Sequence, residues 1–244
     1  MEDQENSYKM AEFALRQSWE THRQAFGPIL EPAFAENPQV RIPLIAALNH
    51  ISRREIREGM DKLKEIQPFC IYDEDKAAWA FFVGLCFELA GSKKHMLKWY
   101  ADSAKYHHRF YLPYLKLARA AMDEKQYENA RSYYETGIKC LLEMSGDGQD
   151  GVLLGAAYTN YASCLTMLHQ YETARQAWTQ AQQYPLQPGA PAVGAVLYAA
   201  MGEPERAIAY LEQLKKQHPA LAEGTQTAVR QILSGTHPDF PGEQ

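Results

Sequence analysis

The 244-residue sequence lacks a long apolar run. Its longest, residues 77–87, is much shorter than the roughly 20 residues that a bilayer-spanning helix needs. The first ten residues, MEDQENSYKM, are acidic where a secretory signal would be basic and then apolar. We therefore expect a cytoplasmic protein that has no membrane partner.

The sequence also lacks an excess of positive charge. It has 25 Lys and Arg against 30 Asp and Glu, which gives a formal net charge of -5. Such a balance provides no general field that would attract a phosphate backbone. The expected partner is accordingly a protein or a peptide, and not a nucleic acid.

Cysteine is scarce, and its four positions follow no metal or redox spacing. Cys70, Cys86, Cys140 and Cys164 form no C-x-x-C pair and no zinc-like cluster with histidine. A free cysteine inside a protein behaves as a small apolar side chain. We interpret the four cysteines as buried packing residues.

Catalytic motifs are missing as well. The sequence has no G-x-S-x-G, no phosphate-binding glycine loop and no H-E-x-x-H. His107 and His108 are adjacent, so on a helix they point about 100° apart and do not share a metal ion easily. The sequence therefore predicts no catalytic residue, no metal site, no cofactor and no enzymatic activity. An unrecognised hydrolase or transferase would need a polar pocket with a perturbed pair of titratable groups.

Residues 111–142 contain what the rest of the chain repeats. Apolar residues recur there every three or four positions in two segments, which meet at the polar turn 123–126. Small residues alternate with aromatic ones, so two helix backbones can approach closely while rings fill the flanks. This pattern predicts a hairpin of two helices.

The same residue types return along the chain at steps of 34, 44 and 33 residues. Each hairpin has a small residue in its first helix, a mostly small one in its second helix and a large one later in the second helix. These sets are Gly84, Ala118, Ala162 and Ala195; Met96, Ala130, Ala174 and Ala207; and Tyr100, Tyr134, Trp178 and Leu211. The 44-residue step contains a glycine-rich insertion at 144–151, and a weaker copy of the hairpin lies 37 residues before the first set.

A period of 34 residues, with small residues at two helix crossings and an aromatic late in the second helix, resembles the tetratricopeptide repeat. Met96 and Pro191 depart from that pattern, because the family usually has a small residue and a large aromatic residue at these positions. The residues that carry the resemblance are Trp79, Gly84, Phe87, Gly91, Tyr114, Leu117, Ala118, Tyr127, Ala130, Tyr134, Tyr158, Ala162, Tyr171, Ala174, Trp178, Ala181, Gly202, Ala207 and Pro219.

The resemblance implies an all-α fold, a right-handed α-α superhelix in which TPR-like helical hairpins stack as a solenoid. The expected organisation is an N-terminal helix and linker at 1–39, a degenerate hairpin at 40–76, four TPR-like hairpins at 77–219, and a capping helix with a tail at 220–244. In the degenerate hairpin, Ser52 followed by Glu55 is typical of a capping box and predicts that the second helix starts there.

In the family that the sequence resembles, the first helices of the hairpins line a concave groove that binds peptides. Residues Leu44, Leu48, Thr166, Ala192 and Val196 occupy first-helix positions of that groove. The candidate peptide-binding residues carried over to this sequence are Phe81, Leu85, Glu88, Leu115, Lys116, Arg119, Met122, Thr159, Asn160 and Ser163.

Three interpretations of this groove stay open. The first is a non-enzymatic scaffold that binds a protein or peptide in an open, partly apolar groove. The second is a self-associating regulatory or sensor module, a possible homodimer, whose groove is filled by its own termini. In the third, the groove residues only pack helix against helix. Lys116, Arg119 and Asn160 are the only remnants of the paired Lys and Asn that clamp a peptide carboxylate in the family.

The cysteine positions generate a first prediction. All four thiols should be unpaired, because they lie singly on helices of different hairpins in a chain expected in the cytoplasm. Alkylation of the unfolded protein without reductant, followed by mass measurement, should show four modified cysteines. Fewer than four would contradict the prediction.

Overall fold

Helices follow one another throughout the computed structural model, which describes residues 38–144 and 151–241 of the chain. Eleven α-helices lie within these ranges: α1 (Pro38–Ser52), α2 (Ile56–Ile66), α3 (Asp73–Leu89), α4 (Lys93–Tyr106), α5 (Tyr111–Asp123), α6 (Tyr127–Met144), α7 (Gly151–Met167), α8 (Tyr171–Ala181), α9 (Pro191–Ala200), α10 (Pro204–Gln217) and α11 (Pro219–Leu233). The all-α helical-repeat class is confirmed. The predicted N-terminal helix and most of the glycine-rich insertion lie outside the described residues.

Two short elements supplement the helices. A 3-10 turn, Gln67–Phe69, follows α2. After α11 the strands β1 (Thr236–His237) and β2 (Phe240–Pro241) pair antiparallel, with His237 opposite Phe240. The chain divides into two units, Met1–Tyr114 and Leu115–Gln244, and the boundary falls inside α5.

In the first unit, hairpin α1–α2 and hairpin α3–α4 each bury the apolar faces of their helices. Two hydrogen bonds from buried side chains to backbone fix the helices of this unit. The indole Nε1 of Trp79 donates to the carbonyl of Leu63 at 2.7 Å, and the hydroxyl of Ser103 donates to the carbonyl of Ala77 at 2.7 Å. The first bond joins α3 to α2, and the second joins α4 to α3.

The crossing of α3 and α4 requires a residue without a side chain at Gly84. A Cβ atom at this position would lie only 2.7 Å from Cδ1 of Tyr100, a distance that real Cβ contacts do not reach. Tyr100 is fully buried, and its ring centroid lies 5.3 Å from that of Phe81. The small first-helix residue therefore makes room for the large second-helix residue.

In the second unit the helices pack along the chain, α6 on α7, α7 on α8 and on α9, and α9 on α10. Helix α11 contacts both α9 and α10. The repeated small and large positions are buried here, which confirms their register: Ala118, Ala162 and Ala195; Ala130, Ala174 and Ala207; and Tyr134, Trp178 and Leu211.

The turns between the two helices of each hairpin repeat with the same register. One residue in each turn has a left-handed backbone conformation: Arg54, Gly91, Lys125, His169 and Gly202. These positions are 37, 34, 44 and 33 residues apart, and Gly235 follows after another 33. A left-handed residue after a helix lets the backbone N–H groups that follow the helix donate to its last carbonyl groups. The N–H of Gln126, for example, donates to the carbonyl of Ala121 at 2.9 Å. By this spacing α11 is the first helix of a further hairpin, with the strand pair in place of the second helix.

Two local predictions are wrong, and one element was not predicted. Ser52 does not cap α2: it is the last residue of α1, its hydroxyl donates to the carbonyl of Asn49 at 2.9 Å, and α2 begins at Ile56. Pro219, which we expected only to end α10, begins α11, because proline fits the first helical turn. The expected glycine- and proline-rich tail contains the strand pair.

All four cysteines are free and buried, as expected for packing residues. Burial raises the pKa of Cys70 and of Cys164 to about 12, and that of Cys86 to about 11. Since the thiolate is the reactive form, these three cysteines are poor nucleophiles in the folded protein.

The repeated helix crossings generate a prediction about packing. Ala130→Leu and Ala174→Leu should each lower the free energy of unfolding by about 1–3 kcal/mol, the usual cost of overpacking, because both alanines are fully buried. Urea denaturation of the purified variants measures the change. The exposed control Glu128→Gln should stay near wild type, and unchanged midpoints for both leucine variants would show that the register is wrong.

Two glycines with open space around them generate a pair of predictions. Substitution by alanine should destabilise the fold at one of them and stabilise it at the other. A Cβ at Gly202 or at Gly224 would meet no atom within 4 Å, but only Gly202 has a left-handed backbone, with φ of 72°. Gly202→Ala should therefore destabilise the fold by about 1–2 kcal/mol. Gly224→Ala, inside α11, should stabilise it by about 0.4–1 kcal/mol. Thermal unfolding of both variants checks the pair, and a shift in the same direction for both would contradict the turn geometry.

Candidate functional site

Phe81, Leu85 and Glu88 of α3 are the candidate groove residues of the first unit. Phe81 is only 2% exposed and packs in an aromatic cluster with Tyr100 and Phe110. Glu88 is half-buried, and its carboxylate accepts a hydrogen bond from the hydroxyl of Tyr100. Burial and this hydrogen bond both raise the pKa of Tyr100. Phe81 is thus a core residue, whereas Leu85 and Glu88 are partly exposed.

Helix α5 of the second unit presents an apolar surface beside a positive charge. Leu115 and Met122 are half-buried and pack against the core cluster that contains Ala118 and Tyr134. Lys116 is half-buried, and Arg119 is exposed. Burial raises the pKa of Tyr134, and the nearby charge of Arg119 opposes that rise. The α5 surface can therefore offer apolar contacts together with a guanidinium group.

On α7, the candidate residues Thr159, Asn160 and Ser163 have different surroundings. Thr159 is only 7% exposed, and its hydroxyl donates to the carbonyl of Gly155 at 2.7 Å. Asn160 is exposed and Ser163 is half-buried. The Thr159 hydroxyl is thus engaged inside its own helix, and Asn160 and Ser163 are the polar side chains that α7 presents at the surface.

A cavity of about 160 Å³ lies between the first helices α7 and α9; we call it the first-helix cavity. It is mostly apolar, with one serine and one threonine. Its lining residues are Ser163, Thr166, Met167, Ala192, Val193 and Val196. The structure thus brings Ser163 together with three other first-helix positions from the sequence analysis. Met167 and Val193, which we did not predict, are direct neighbours of predicted positions on these helices.

A larger concavity of about 650 Å³ lies among helices α8, α9 and α10; we call it the second-helix cleft. Helix α9 contributes only Tyr198, and the second helices α8 and α10 contribute the rest. Its lining residues are Arg175, Gln176, Thr179, Gln180, Tyr198, Arg206, Ala209 and Tyr210. The candidate residues predicted from the sequence all lie on first helices, so they do not include this cleft. The available signal was an arginine on each of two successive second helices.

A third concavity of about 440 Å³ lies between α6 and α7. Its lining includes Leu142, an exposed leucine, and Tyr161, whose hydroxyl donates to the Glu135 carboxylate at 2.9 Å. The sequence analysis did not predict this surface either. It provides an apolar patch that is separate from the first-helix cavity.

Within residues 38–144 and 151–241, no three His, Cys, Asp or Glu side chains come together as a metal site. None of the helices in the same ranges combines the length and the apolar character that crossing a bilayer requires.

Comparison with known proteins gives a sequence match and a structural likeness. Residues 194–220 match the sequence profile of the tetratricopeptide repeat, and this stretch includes most of α9 and all of α10. A chain from the solved structure titled "Functional Characterization of Pseudomonas Aeruginosa pilF" is 17% identical over 78% of this chain and 97% of that chain, with a TM-score of 0.39. No curated protein matches the chain.

Proposed function

We propose that this chain, part of which matches the tetratricopeptide repeat, is a non-enzymatic scaffold that holds a protein or peptide partner. The proposed binding surface in the second unit is the first-helix face, formed by Leu115, Lys116, Arg119 and Met122 of α5 and by Asn160 and Ser163 of α7. Repeat proteins of stacked hairpins commonly bind through such extended surfaces.

The observation that carries this proposal is the first-helix cavity. At about 160 Å³ it is large enough to accept an apolar side chain, and its walls come from two successive first helices. An extended or helical peptide binds in such grooves by inserting a few apolar anchors. The partner is therefore expected to carry at least one aliphatic anchor residue.

Arg119 supplies orientation. It is exposed beside the half-buried Leu115 and Met122, so a partner that covers the two apolar side chains also meets the guanidinium group. Arginine pairs well with a carboxylate, because its planar group donates two parallel hydrogen bonds. An acidic group next to an apolar anchor is the partner pattern that this surface favours.

The proposed location of the scaffold is the cytoplasm. The four buried cysteines are free, and unpaired thiols are usual where the redox environment is reducing. Residues 1–37, including the acidic first residues, lie outside the described structure.

A second candidate function is a self-associating regulatory module whose groove is filled by its own termini, possibly as a homodimer. The observation that favours it is that the strand pair after α11 folds back on earlier hairpins of the same unit. The Phe240 ring lies 5.6 Å from that of His169, and the Asp239 carboxylate lies 3.4 Å from Nζ of Lys125. A variant truncated after Gly235 that captures more partner than the full chain would favour this candidate, and analytical ultracentrifugation would detect a dimer.

The proposed first-helix face generates a prediction about binding. Leu115→Asp together with Arg119→Ala should weaken partner capture strongly, because one central apolar or arginine anchor often contributes about 2 kcal/mol or more to affinity. Capture from the native cell, followed by mass-spectrometric identification of partners that the double variant loses, measures the effect. Circular dichroism should show unchanged helix content.

A matched control is Leu142→Asp, which makes the same change at an exposed leucine of α6 in the third concavity. It should leave capture intact. If the well-folded double variant binds the same partners at wild-type affinity, the first-helix face is not the binding surface. Loss of capture by Leu142→Asp would then indicate the third concavity instead.

A further inference from the structure

The second-helix cleft has the size and the charge of a ligand site. Its volume of about 650 Å³ falls within the range of about 300–1,000 Å³ that is typical of small-ligand sites. Two charged side chains line it, Arg175 from α8 and Arg206 from α10, and both are positive. The cleft therefore offers two guanidinium groups, each with a glutamate of its own helix beside it, on a chain whose formal net charge is -5.

Stacked aromatic rings form a wall of the cleft. The rings of Tyr198 and Tyr210 are parallel within 4°, with centroids 5.6 Å apart. The guanidinium carbon of Arg206 lies 5.1 Å from the centroid of the Tyr198 ring, which is cation–π geometry. Burial raises the pKa of Tyr198, and the charges of Arg206 and Arg175 both oppose that rise. The two positive charges thus act on the same part of the cleft.

Several groups in the cleft can donate hydrogen bonds to a ligand. The hydroxyl oxygen of Tyr210 accepts a hydrogen bond from Nε1 of Trp178 at 3.0 Å and another from Nε2 of Gln182 at 2.9 Å. A tyrosine oxygen that accepts twice still has its own O–H to donate. This O–H and the two guanidinium groups require a ligand that is rich in acceptors.

Neither arginine is locked by its present partner. Arg175 pairs with Glu172 and Arg206 pairs with Glu203, in each case within one turn of the same helix. The side chains of Glu172 and Arg206 are more than half exposed, and exposed ion pairs contribute little to stability. A carboxylate that arrives from outside can replace or share these partners.

We propose that the second-helix cleft binds an acidic peptide segment, with a carboxylate held between Arg175 and Arg206. A nucleic acid fits less well, because strong phosphate-backbone binding uses several cations in a row and only two line this cleft. The cleft is lined mainly by second helices and shares no lining residue with the first-helix cavity, so the two sites can be tested separately.

The test uses the full chain and three defined probes: fluorescein-labelled hexaglutamate, the neutral hexaglutamine, and a single-stranded oligothymidylate. Fluorescence anisotropy should show saturable binding of hexaglutamate and weaker binding of the other two. In a ¹⁵N–¹H correlation spectrum, hexaglutamate should also shift the indole resonance of Trp178, because this N–H donates to Tyr210 in the cleft wall. The Trp178→Phe variant assigns that resonance among the four tryptophans of the chain.

Charge removal provides the decisive comparison. Arg175→Gln with Arg206→Gln should weaken hexaglutamate binding at least about tenfold, as expected when charge-assisted hydrogen bonds are lost. The matched control Arg230→Gln changes an exposed arginine of α11 and should leave binding unchanged. Leu115→Asp should leave it unchanged as well, which separates this site from the first-helix face.

Three results would overturn the proposal. One is equal hexaglutamate affinity of the wild type and a double glutamine variant whose circular dichroism is unchanged. Another is equal affinity for hexaglutamate and hexaglutamine, since the charge would then be irrelevant. The third is tighter binding of the oligothymidylate, lost in the same double variant, which would make the cleft a nucleic-acid site.

Discussion

The close approach of two helices at a small residue is the constraint on which the hairpins depend. At Gly84 even a methyl group would overlap the Tyr100 ring, and at Ala162 and Ala174 the alanines are fully buried in the cluster that contains Trp178. A large ring beside a small residue fills the space between the helices, whereas two large residues there would overlap. The contact fixes which side of each helix faces the core. Both the first-helix cavity and the second-helix cleft are formed by the sides that remain.

The fold could be predicted from the sequence because burial recurs at fixed steps and leaves a periodic pattern of small and large residues. The turns were harder to predict. Lys125 and His169 adopt the left-handed conformation, which in a sequence is usually indicated by glycine. Ser52 has the sequence pattern of a helix cap, but the left-handed residue of that turn is Arg54. The strand pair after α11 had no periodic signal, since each strand has only two residues.

The candidate site was less predictable than the fold. Periodicity reports which side of a helix is buried, and it does not report what a half-buried polar side chain bonds to. Thr159 occupies a groove position in the sequence but gives its hydroxyl to its own helix backbone. The second-helix cleft combines Arg175 and Arg206 from different hairpins, and their steps do not follow the repeat. Such a pair becomes visible only when the helices are placed side by side.

The strand pair after α11 affects how readily α11 detaches from the helices that it packs against. In an array of stacked repeats, a helix with few neighbouring contacts opens before the rest. Here Phe240 is buried and its ring lies beside that of His169, while Asp239 forms an exposed ion pair with Lys125; both partners belong to earlier hairpins. Because α11 leads directly into these contacts, its detachment must break them as well. The strand pair therefore makes opening of α11 cooperative with opening of the hairpins before it.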